Sequence, residues 1–235
     1  ASQPKVADDA PRGRGGRVLA RHLHAQATPC DPALSGKMRV LHALMRELFA
    51  ARKERIVVVS VFMTTLDLIE AVCAHEGWPA CKLGGSTPAK KRKQFNDEFN
   101  DPASGYFAFL LSSKAGGCGL NLIGGSRLVM FDLDWNPATD KQAAARCWRD
   151  GQKLPCFTYR FVSTGTLEER MLQRQLAKEG LQNVIEDKDQ VNHFSSDDLK
   201  RLFFYRGDTS SDLHDELQCT ACKGKHAARK ATAAA

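Results

Sequence analysis

Two arginines three residues apart lie inside a short alanine-rich stretch, QAAARCWRDGQ, which spans residues 142–152. If the stretch is helical, Gln142, Arg146 and Arg149 share one narrow stripe, because positions i, i+4 and i+7 recur on the same face. Two cations and an amide on one stripe favour contact with a single anionic ligand. The rest of the sequence has to indicate which anion that is.

A plainer interpretation of the same helix keeps both arginines at the surface. They would then form ion pairs with Asp140 or Asp150, which lie close to them in the sequence. Ala144 and Trp148 take a different face of the predicted helix, where they are suited to packing. The spacing alone leaves both alternatives open.

A glycine-rich loop, SSKAGGCGLNL, follows an apolar strand-length run at residues 112–122. Its glycines let the backbone approach a ligand closely. One interpretation is a dinucleotide-binding loop in which Gly117 and Gly119 contact the cofactor and Asp132 or Asp134 binds a ribose. That motif is incomplete here, because Leu122 stands where its third glycine belongs.

The printed sequence contains no phosphate-binding P-loop. Outside the basic tail, Gly-Lys occurs only at residues 36–37, where Met38 follows and Asp31 stands in place of the first glycine. We therefore expect that this chain does not bind a nucleoside triphosphate in the usual way on its own.

Cys219 and Cys222 have the two-residue spacing of a zinc-ligand pair, and His214 precedes the first cysteine by five residues. A fourth ligand would be His193 or His226. The alternative is a reduced pair without metal. A zinc ion at this place would hold the C-terminal segment together and would take no part in chemistry.

The composition is typical of a soluble globular protein, with 43% hydrophobic and 26% charged residues among 235. No apolar run approaches the roughly 18 residues needed to cross a bilayer, and the N-terminus lacks a signal-peptide core, so no membrane partner is expected. The eight cysteines are scattered, which favours buried thiols in a reducing compartment. The net charge of +7 lies in two tails, 1–21 and 219–235, so it does not by itself indicate nucleic-acid binding.

From residue 36 onwards, strand-length apolar runs alternate with helical patterns. The predicted helices cover 36–53, 64–77, 87–100, 136–150 and 166–185, and the predicted strands cover 56–62, 80–83, 106–113, 127–134 and 156–163. Such alternation predicts an α/β fold, a parallel sheet flanked by helices on both faces.

Three further segments flank or line this predicted sheet. Residues 1–35 are predicted to be a disordered linker, 186–226 a helical appendage with the Cys/His cluster, and 227–235 a disordered tail. Ligands bind at the carboxyl ends of the strands in open parallel sheets. We therefore expect residues 60–65, 112–122 and 132–140 to meet at that edge.

The stretch SSKAGGCGLNLIGGSRLVMFDLDWNPATDKQAAARCWRDGQ (112–152) resembles the fifth and sixth helicase motifs of the SNF-family DNA translocases, in the second of their two RecA-like lobes. SGKMRVLHALM, LGGSTPAKKRKQFNDEFN and STGTLEERMLQRQ match the expected flanks. VNHFSSDDLKRLF and SDLHDELQCTAC resemble the Rad-fifty-four-type recombination translocases in particular. The resemblance covers about 35–220, and its HFS sequence favours His193 as the fourth zinc ligand.

The resemblance implies that ATP and Mg²⁺ lie between two lobes, with the phosphates held by a first lobe. Arg146 and Arg149 would reach the γ-phosphate as arginine fingers, with Gln142 as a polar support and Gly117 and Gly119 among the ATP-binding residues. A planar guanidinium matches the charge spread over transferring phosphoryl oxygens. The helix at 165–181 would brace the second lobe against the first.

The resemblance also implies contacts with the DNA backbone by Ser60, Ser112, Ser113, Lys114 and Trp135. Phosphate contacts of this kind fix position without reading base sequence. The alternatives are a capped turn with a solvated lysine at 112–114 and a tryptophan that anchors the next helix in the core. The basic run KKRK (90–93) either contacts phosphates, serves in nuclear import, or is a solvated helix face.

The prediction is therefore the second ATPase lobe of a double-stranded-DNA translocase in homologous recombination, DNA repair or chromatin remodelling. Its expected partners are duplex DNA, the first RecA-like lobe and a recombinase or nucleosome, and its expected location is the nucleus. The chain alone should hydrolyse no ATP. The alternatives are a non-catalytic duplex-DNA-binding module derived from such a lobe, and a dinucleotide enzyme, which leaves Gln142, Arg146 and Arg149 unexplained.

Overall fold

The core of the molecule is a parallel sheet of five strands. The computed structural model describes residues 31–52, 54–182, 203–209 and 211–216. The strands are β1 (Ile56–Ser60), β2 (Ala80–Leu83), β3 (Ala108–Ser112), β4 (Arg127–Met130) and β5 (Phe157–Arg160). They lie in the order β2-β3-β1-β4-β5, and every neighbouring pair is parallel. The predicted α/β class, a RecA-like sheet with helices, is confirmed.

The central strands are apolar on both faces, as a sheet covered by helices requires. Every residue of β1 and β3 is buried, with Ile56 opposite Ala108 and Ser60 opposite Ser112 in the register. At the edge of the sheet, β5 is largely exposed, and Phe157 keeps 47% of its surface accessible. Burial therefore falls from the middle of the sheet to its edge.

Six α-helices surround or follow the sheet in the described residues: α1 (Gly36–Ala51), α2 (Met63–His75), α3 (Ala89–Asn100), α4 (Pro137–Ala144), α5 (Leu167–Gln182) and α6 (Asp212–Glu216). Ser35 caps α1, because its side chain accepts a hydrogen bond from the Met38 amide at 3.4 Å. Among these helices none has both the length and the apolar character needed to cross a bilayer.

One helix is markedly shorter than the sequence predicts. The pattern at 136–150 predicts a single helix, but α4 ends at Ala144 and the chain continues through turns and bends to residue 151. A 3₁₀ turn, Pro32–Leu34, and the Ser35 cap precede α1, at the end of the predicted linker 1–35. Residues 1–30 and 227–235 lie outside the described residues, and the predicted appendage is described only at 203–209 and 211–216.

Candidate functional site

The carboxyl edge of the sheet is polar where three strands end. Ser60 and Ser112 are register partners at the ends of β1 and β3, with 0% and 3% of their surface exposed. The Ser60 hydroxyl donates a hydrogen bond to the carboxylate of Asp132, which follows β4. The prediction that residues 60–65 and 132–140 meet at this edge is therefore confirmed.

Ser113 and Lys114 begin the 3₁₀ turn Ser113–Cys118, which follows β3 directly. Ser113 is 8% exposed, and its buried hydroxyl oxygen has no hydrogen-bond partner among the described residues. Leaving a buried hydroxyl unsatisfied costs about 1–3 kcal/mol, so this position is suited to a ligand that supplies the missing bond. Lys114 is exposed beside it, and Gly119 ends the turn with a φ of +70°.

Lys37 ties three elements together at the same edge. Its ammonium donates to the Phe131 carbonyl at 2.8 Å and to Glu168 Oε1 at 2.5 Å, and lies 4.0 Å from Asp132 Oδ1. It thereby joins the start of α1, the end of β4 and the start of α5. In the sequence, Lys37 stands out only within an incomplete P-loop, and nothing there indicates this role.

The basic run at 90–93 is not uniform. Lys90, Lys91 and Lys93 are exposed on α3, in agreement with a solvated or ligand-facing surface. Arg92 is different, because its guanidinium donates to the carbonyls of Thr87 and Gly85, both at 2.6 Å. It therefore fixes the turn after β2, at the carboxyl edge.

Trp135 is 53% exposed in the loop before α4, so it does not anchor that helix in the core. The helix is started instead by Asn136, whose side chain accepts from the Ala138 amide at 3.1 Å, with Pro137 in the first turn. The Asn136 amide in turn donates to Asp134 Oδ1 at 2.9 Å. The indole is left accessible at the carboxyl edge.

The helical stripe of Gln142, Arg146 and Arg149 does not exist as predicted, because α4 ends before either arginine. Gln142 is exposed on the last turn, Arg146 is buried at 8% exposure, and Arg149 is exposed. Trp148, expected to pack, is 77% exposed. The contacts that end the helix are non-local, and the Leu122 amide donates to the Arg146 carbonyl at 2.9 Å.

Asp140 is not the surface partner that the ion-pair alternative requires. It is 5% exposed, and its carboxylate accepts from Gln175 Nε2 at 3.0 Å and from the Asp134 amide at 3.3 Å. Burial raises the pKa of Asp140, while these hydrogen bonds act in the opposite direction. The carboxylate thus joins α4 to α5 and to the loop that holds Trp135.

Glu169 joins the start of α5 to the C-terminal segment. One carboxylate oxygen accepts from the Gly165 amide at 2.7 Å and the Thr164 hydroxyl at 3.0 Å, and the other from the Ser211 hydroxyl at 2.7 Å and the Leu213 amide at 2.9 Å. Burial alone would raise the pKa of Glu169, but these four donors outweigh it and lower the pKa to about 2.

A second buried carboxylate completes this junction. Asp212 is 1% exposed and lies between two guanidinium groups, those of Arg170 and Arg206, each at 2.5 Å. The Arg206 amide also donates to the Gly165 carbonyl at 2.9 Å. Residues 203–209 and 211–216 are therefore held against the start of α5 by two ionic centres.

The predicted zinc site lies mostly outside the described residues. His214 belongs to α6, whereas His193, Cys219 and Cys222 are not described. In the described ranges no three His, Cys, Asp or Glu side chains are grouped so as to hold a metal ion. Zinc binding stays a prediction.

The polar residues that organise this region were missed from the sequence: Lys37, Asn100, Gln152, Glu169 and Asp212. Only Gln152 had a visible signal, since it ends the stretch that contains the two arginines. The other four bind partners more than 20 residues away or across the sheet edge, and spacing along the chain does not indicate such partners.

A family profile, the helicase conserved C-terminal domain, matches residues 36–151. This range includes the sheet from β1 to β4 and the loop that carries both arginines. A solved structure described as the C-terminal part of the Fun30 ATPase domain superposes with a TM-score of 0.61 at 26% identity, covering 79% of this chain and 56% of that one.

Curated proteins match over most of the chain. Protein CHROMATIN REMODELING 25 of Arabidopsis thaliana is 52% identical over 81% of this chain and 22% of its own length. The DNA repair and recombination protein RAD54 of Oryza sativa subsp. japonica is 51% identical over 80% of this chain and 20% of its own length. The DNA repair protein rhp54 of Schizosaccharomyces pombe is 45% identical over 87% of this chain and 24% of its own length. The chain thus spans a fifth to a quarter of the length of these relatives. It belongs to the SNF family, as a second RecA-like lobe with the helicase C-terminal domain, and its sequence is of the RAD54 type.

Proposed function

We propose that this chain is the second ATPase lobe of an ATP-dependent double-stranded-DNA translocase in homologous recombination, DNA repair or chromatin remodelling. The names of its relatives, a chromatin-remodelling protein and two DNA-repair proteins, support this process. A nuclear location and a recombinase or nucleosome partner are part of the same proposal. The observation that carries it is the buried hydroxyl of Ser113, which has no hydrogen-bond partner in the part of the chain that the structure describes, beside the exposed Lys114 at the carboxyl edge.

A hydroxyl and an ammonium at neighbouring positions are the groups with which proteins bind phosphate oxygens. A DNA phosphate at this turn supplies the acceptor that the Ser113 hydroxyl lacks, and its charge is balanced by Lys114. Ser60 and Ser112 are buried below it, so they shape the turn, and the exposed Trp135 lies along the duplex. These contacts hold the backbone without reading base sequence.

Arg146 and Arg149 supply the positive charge for ATP hydrolysis. Arg149 is exposed and free of secondary structure, so it is able to reach a nucleotide bound mainly by another lobe. Arg146 is buried in the same loop, and Gln142 is exposed on the last turn of α4. Gly117 and Gly119 are the proposed ATP-binding residues of the neighbouring turn, which Gly119 ends with a φ of +70°. ATP and Mg²⁺ are held chiefly by the first lobe, and this chain stabilises the charge that develops on the transferring phosphoryl group.

A chimaera tests the proposal. In it, this chain replaces the segment of Schizosaccharomyces pombe rhp54 that it matches. We expect ATP hydrolysis that depends on duplex DNA, and none from the chain alone. Arg149→Ala should lower turnover by about 10³-fold or more, as is typical for loss of an arginine finger.

Arg46→Ala is the matched control, because this arginine is 62% exposed on α1 and belongs to no proposed contact. Full hydrolysis by the Arg149→Ala chimaera would remove the arginine finger from the proposal. Hydrolysis by the isolated chain would remove the division of labour between two lobes.

The second candidate is a duplex-DNA-binding module without catalysis. The accessible Lys114 and Trp135 favour it, because they need no nucleotide to contact DNA. In that case the chain alone binds duplex DNA with an affinity that falls steeply with salt, and Arg149→Ala leaves function intact. The chimaera distinguishes the two candidates.

A further inference from the structure

The loop that carries both arginines, residues 145–151, lies outside α4. Backbone bonds to the last turn of the helix reach only its first residues: the Arg146 amide donates to the Ala143 carbonyl at 3.1 Å and the Cys147 amide to the Ala144 carbonyl at 3.3 Å. An arginine finger has to be placed within about 1 Å to act, since a misplacement of that size costs about 10²-fold in rate. Some other set of contacts must therefore fix the loop. These contacts come from Gln152 and from residues 121–125.

Gln152 binds the arginine loop at two of its residues, Cys147 and Arg149. The two N–H bonds of its side-chain amide are shared among three carbonyls, with Nε2 at 3.1 Å from Cys147 O, 3.1 Å from Ile123 O and 3.0 Å from Gly125 O. Its side-chain oxygen accepts from the Leu154 amide at 3.0 Å, and its own amide donates to the Arg149 carbonyl at 3.0 Å. One side chain thus fastens the arginine loop to residues 123–125.

Residues 121–124 are in turn fastened to α3. Asn100 donates to the Asn121 carbonyl at 2.6 Å and accepts from the Gly124 amide at 2.8 Å, while Asn96 accepts from the Asn121 amide at 3.0 Å. The contact is close, because a Cβ at Gly124 would lie 2.3 Å from the Phe99 carbonyl oxygen. The two asparagines stand one helical turn apart, and both face this loop.

We infer that Gln152 and Asn100 are positioning residues for the arginine loop, and that they fix Arg149 relative to α3 through residues 121–125. The inference rests on the proposed function for its catalytic meaning, but its structural part stands on the contacts above. Neither side chain is assigned a contact with the nucleotide or the DNA. Both act through backbone carbonyls and amides of the loops that they join.

Gln152→Glu tests the inference with little change of shape. The carboxylate has no N–H to donate, so it faces three carbonyl oxygens and the loop must move. Asn100→Asp is a milder second variant, since it keeps the acceptor for Gly124 and loses only the donor to Asn121. Gln94→Glu is the matched control, because Gln94 is exposed on α3 and bonds only to Glu98 there, at 2.9 Å.

Trp148 lies inside the loop, 77% exposed, and reports its position without any activity. The chain is labelled with 5-fluorotryptophan, and ¹⁹F NMR resonances of its three tryptophans are assigned by replacement with phenylalanine. We expect Gln152→Glu to shift or broaden the Trp148 resonance, with Trp135 unchanged and with Gln94→Glu silent. An unchanged Trp148 resonance in Gln152→Glu overturns the inference, whatever the chain's function.

The catalytic meaning is tested in the rhp54 chimaera by a double-mutant cycle. Gln152→Glu should lower kcat about 10²-fold with little change in the KM for ATP, because the finger acts in the transition state. In the Arg149→Ala background the same change should have almost no further effect. If the losses in kcat from Gln152→Glu and Arg149→Ala multiply in the double variant, the positioning role is overturned. If Arg149→Ala leaves kcat unchanged, the proposed function is overturned instead.

Discussion

Replacing Glu169 by glutamine should release the C-terminal segment from the start of α5. The carboxylate is 4% exposed and accepts four hydrogen bonds, two from the loop at 164–165 and two from residues 211–213. Glutamine keeps one acceptor oxygen, but its amide nitrogen must face N–H or O–H donors on the other side. At least one buried donor, the amide of Gly165 or of Leu213, is then left without a partner.

The pKa gives the size of the effect. Holding the pKa of Glu169 at about 2, against an ordinary 4.5, favours the ionised form in the folded state by about 3 kcal/mol. The junction lies near the surface, so we expect about 2 kcal/mol in practice. Since the folded pKa is below the unfolded one, this stability is fully present above about pH 4.5 and is lost as the pH falls towards 2.

Urea unfolding at pH 7 and at pH 3 measures both parts of this prediction. Glu169→Gln should lower the free energy of unfolding by about 2 kcal/mol at pH 7 and by less than half of that at pH 3. Glu47→Gln is the control, because that carboxylate is 76% exposed, and its effect should stay within about 0.5 kcal/mol. A difference between wild type and Glu169→Gln that does not shrink in acid would refute the reasoning.

Three further outcomes are expected. Gly165→Ala should lower the melting temperature more than Gly77→Ala does. Both glycines have positive φ, which costs alanine about 1–2 kcal/mol, but of the two only Gly165 would place its Cβ in a clash, 1.9 Å from the Arg206 carbonyl oxygen. Equal losses of stability in the two variants would contradict this. Zinc retained after dialysis should fall in Cys222→Ser, whereas equal zinc in wild type and variant would argue against the predicted site. Burial raises the pKa of three cysteine thiols to about 12, those of Cys73, Cys81 and Cys147. At pH 8 a thiolate-directed reagent should therefore label them only after unfolding. Rapid labelling of these thiols in the folded chain would be the contrary result.

The sheet could be predicted because its signal is local. Runs such as IVVVS and AFLLS are apolar at every position, and only a strand covered on both faces buries all of them. The polar residues that end β1 and β3 follow from the same alternation of strands and helices. The length of β2 was predicted correctly, and the other four strands were predicted two to four residues too long, because apolar residues continue beyond each ladder.

The end of α4 could not be predicted because the contacts that cause it are not local. The residues of QAAARCWRD are typical of a helix, since alanine and arginine both have high helix propensity. The chain leaves the helix at Ala145 because the Arg146 carbonyl accepts from Leu122 and the Cys147 carbonyl from Gln152. Cys147 rather than Trp148 then packs inwards, at 2% exposure against 77%. The hydrogen bonds made in the folded sheet therefore outweigh the helix propensity of this segment.

These non-local contacts decide how the candidate site responds to pH. The side chains that fix the arginine loop, Gln152 and Asn100, are amides and do not titrate. Cys147 beside them stays a thiol, with a pKa of about 12, and Glu169 keeps its charge down to about pH 2. Between pH 5 and 9 the placement of Arg149 by these side chains should therefore be constant. Any pH dependence of hydrolysis in the chimaera must then arise in the nucleotide, its metal ion or the other lobe, and replacing Gln152 by a titratable glutamate should create a new dependence where none existed.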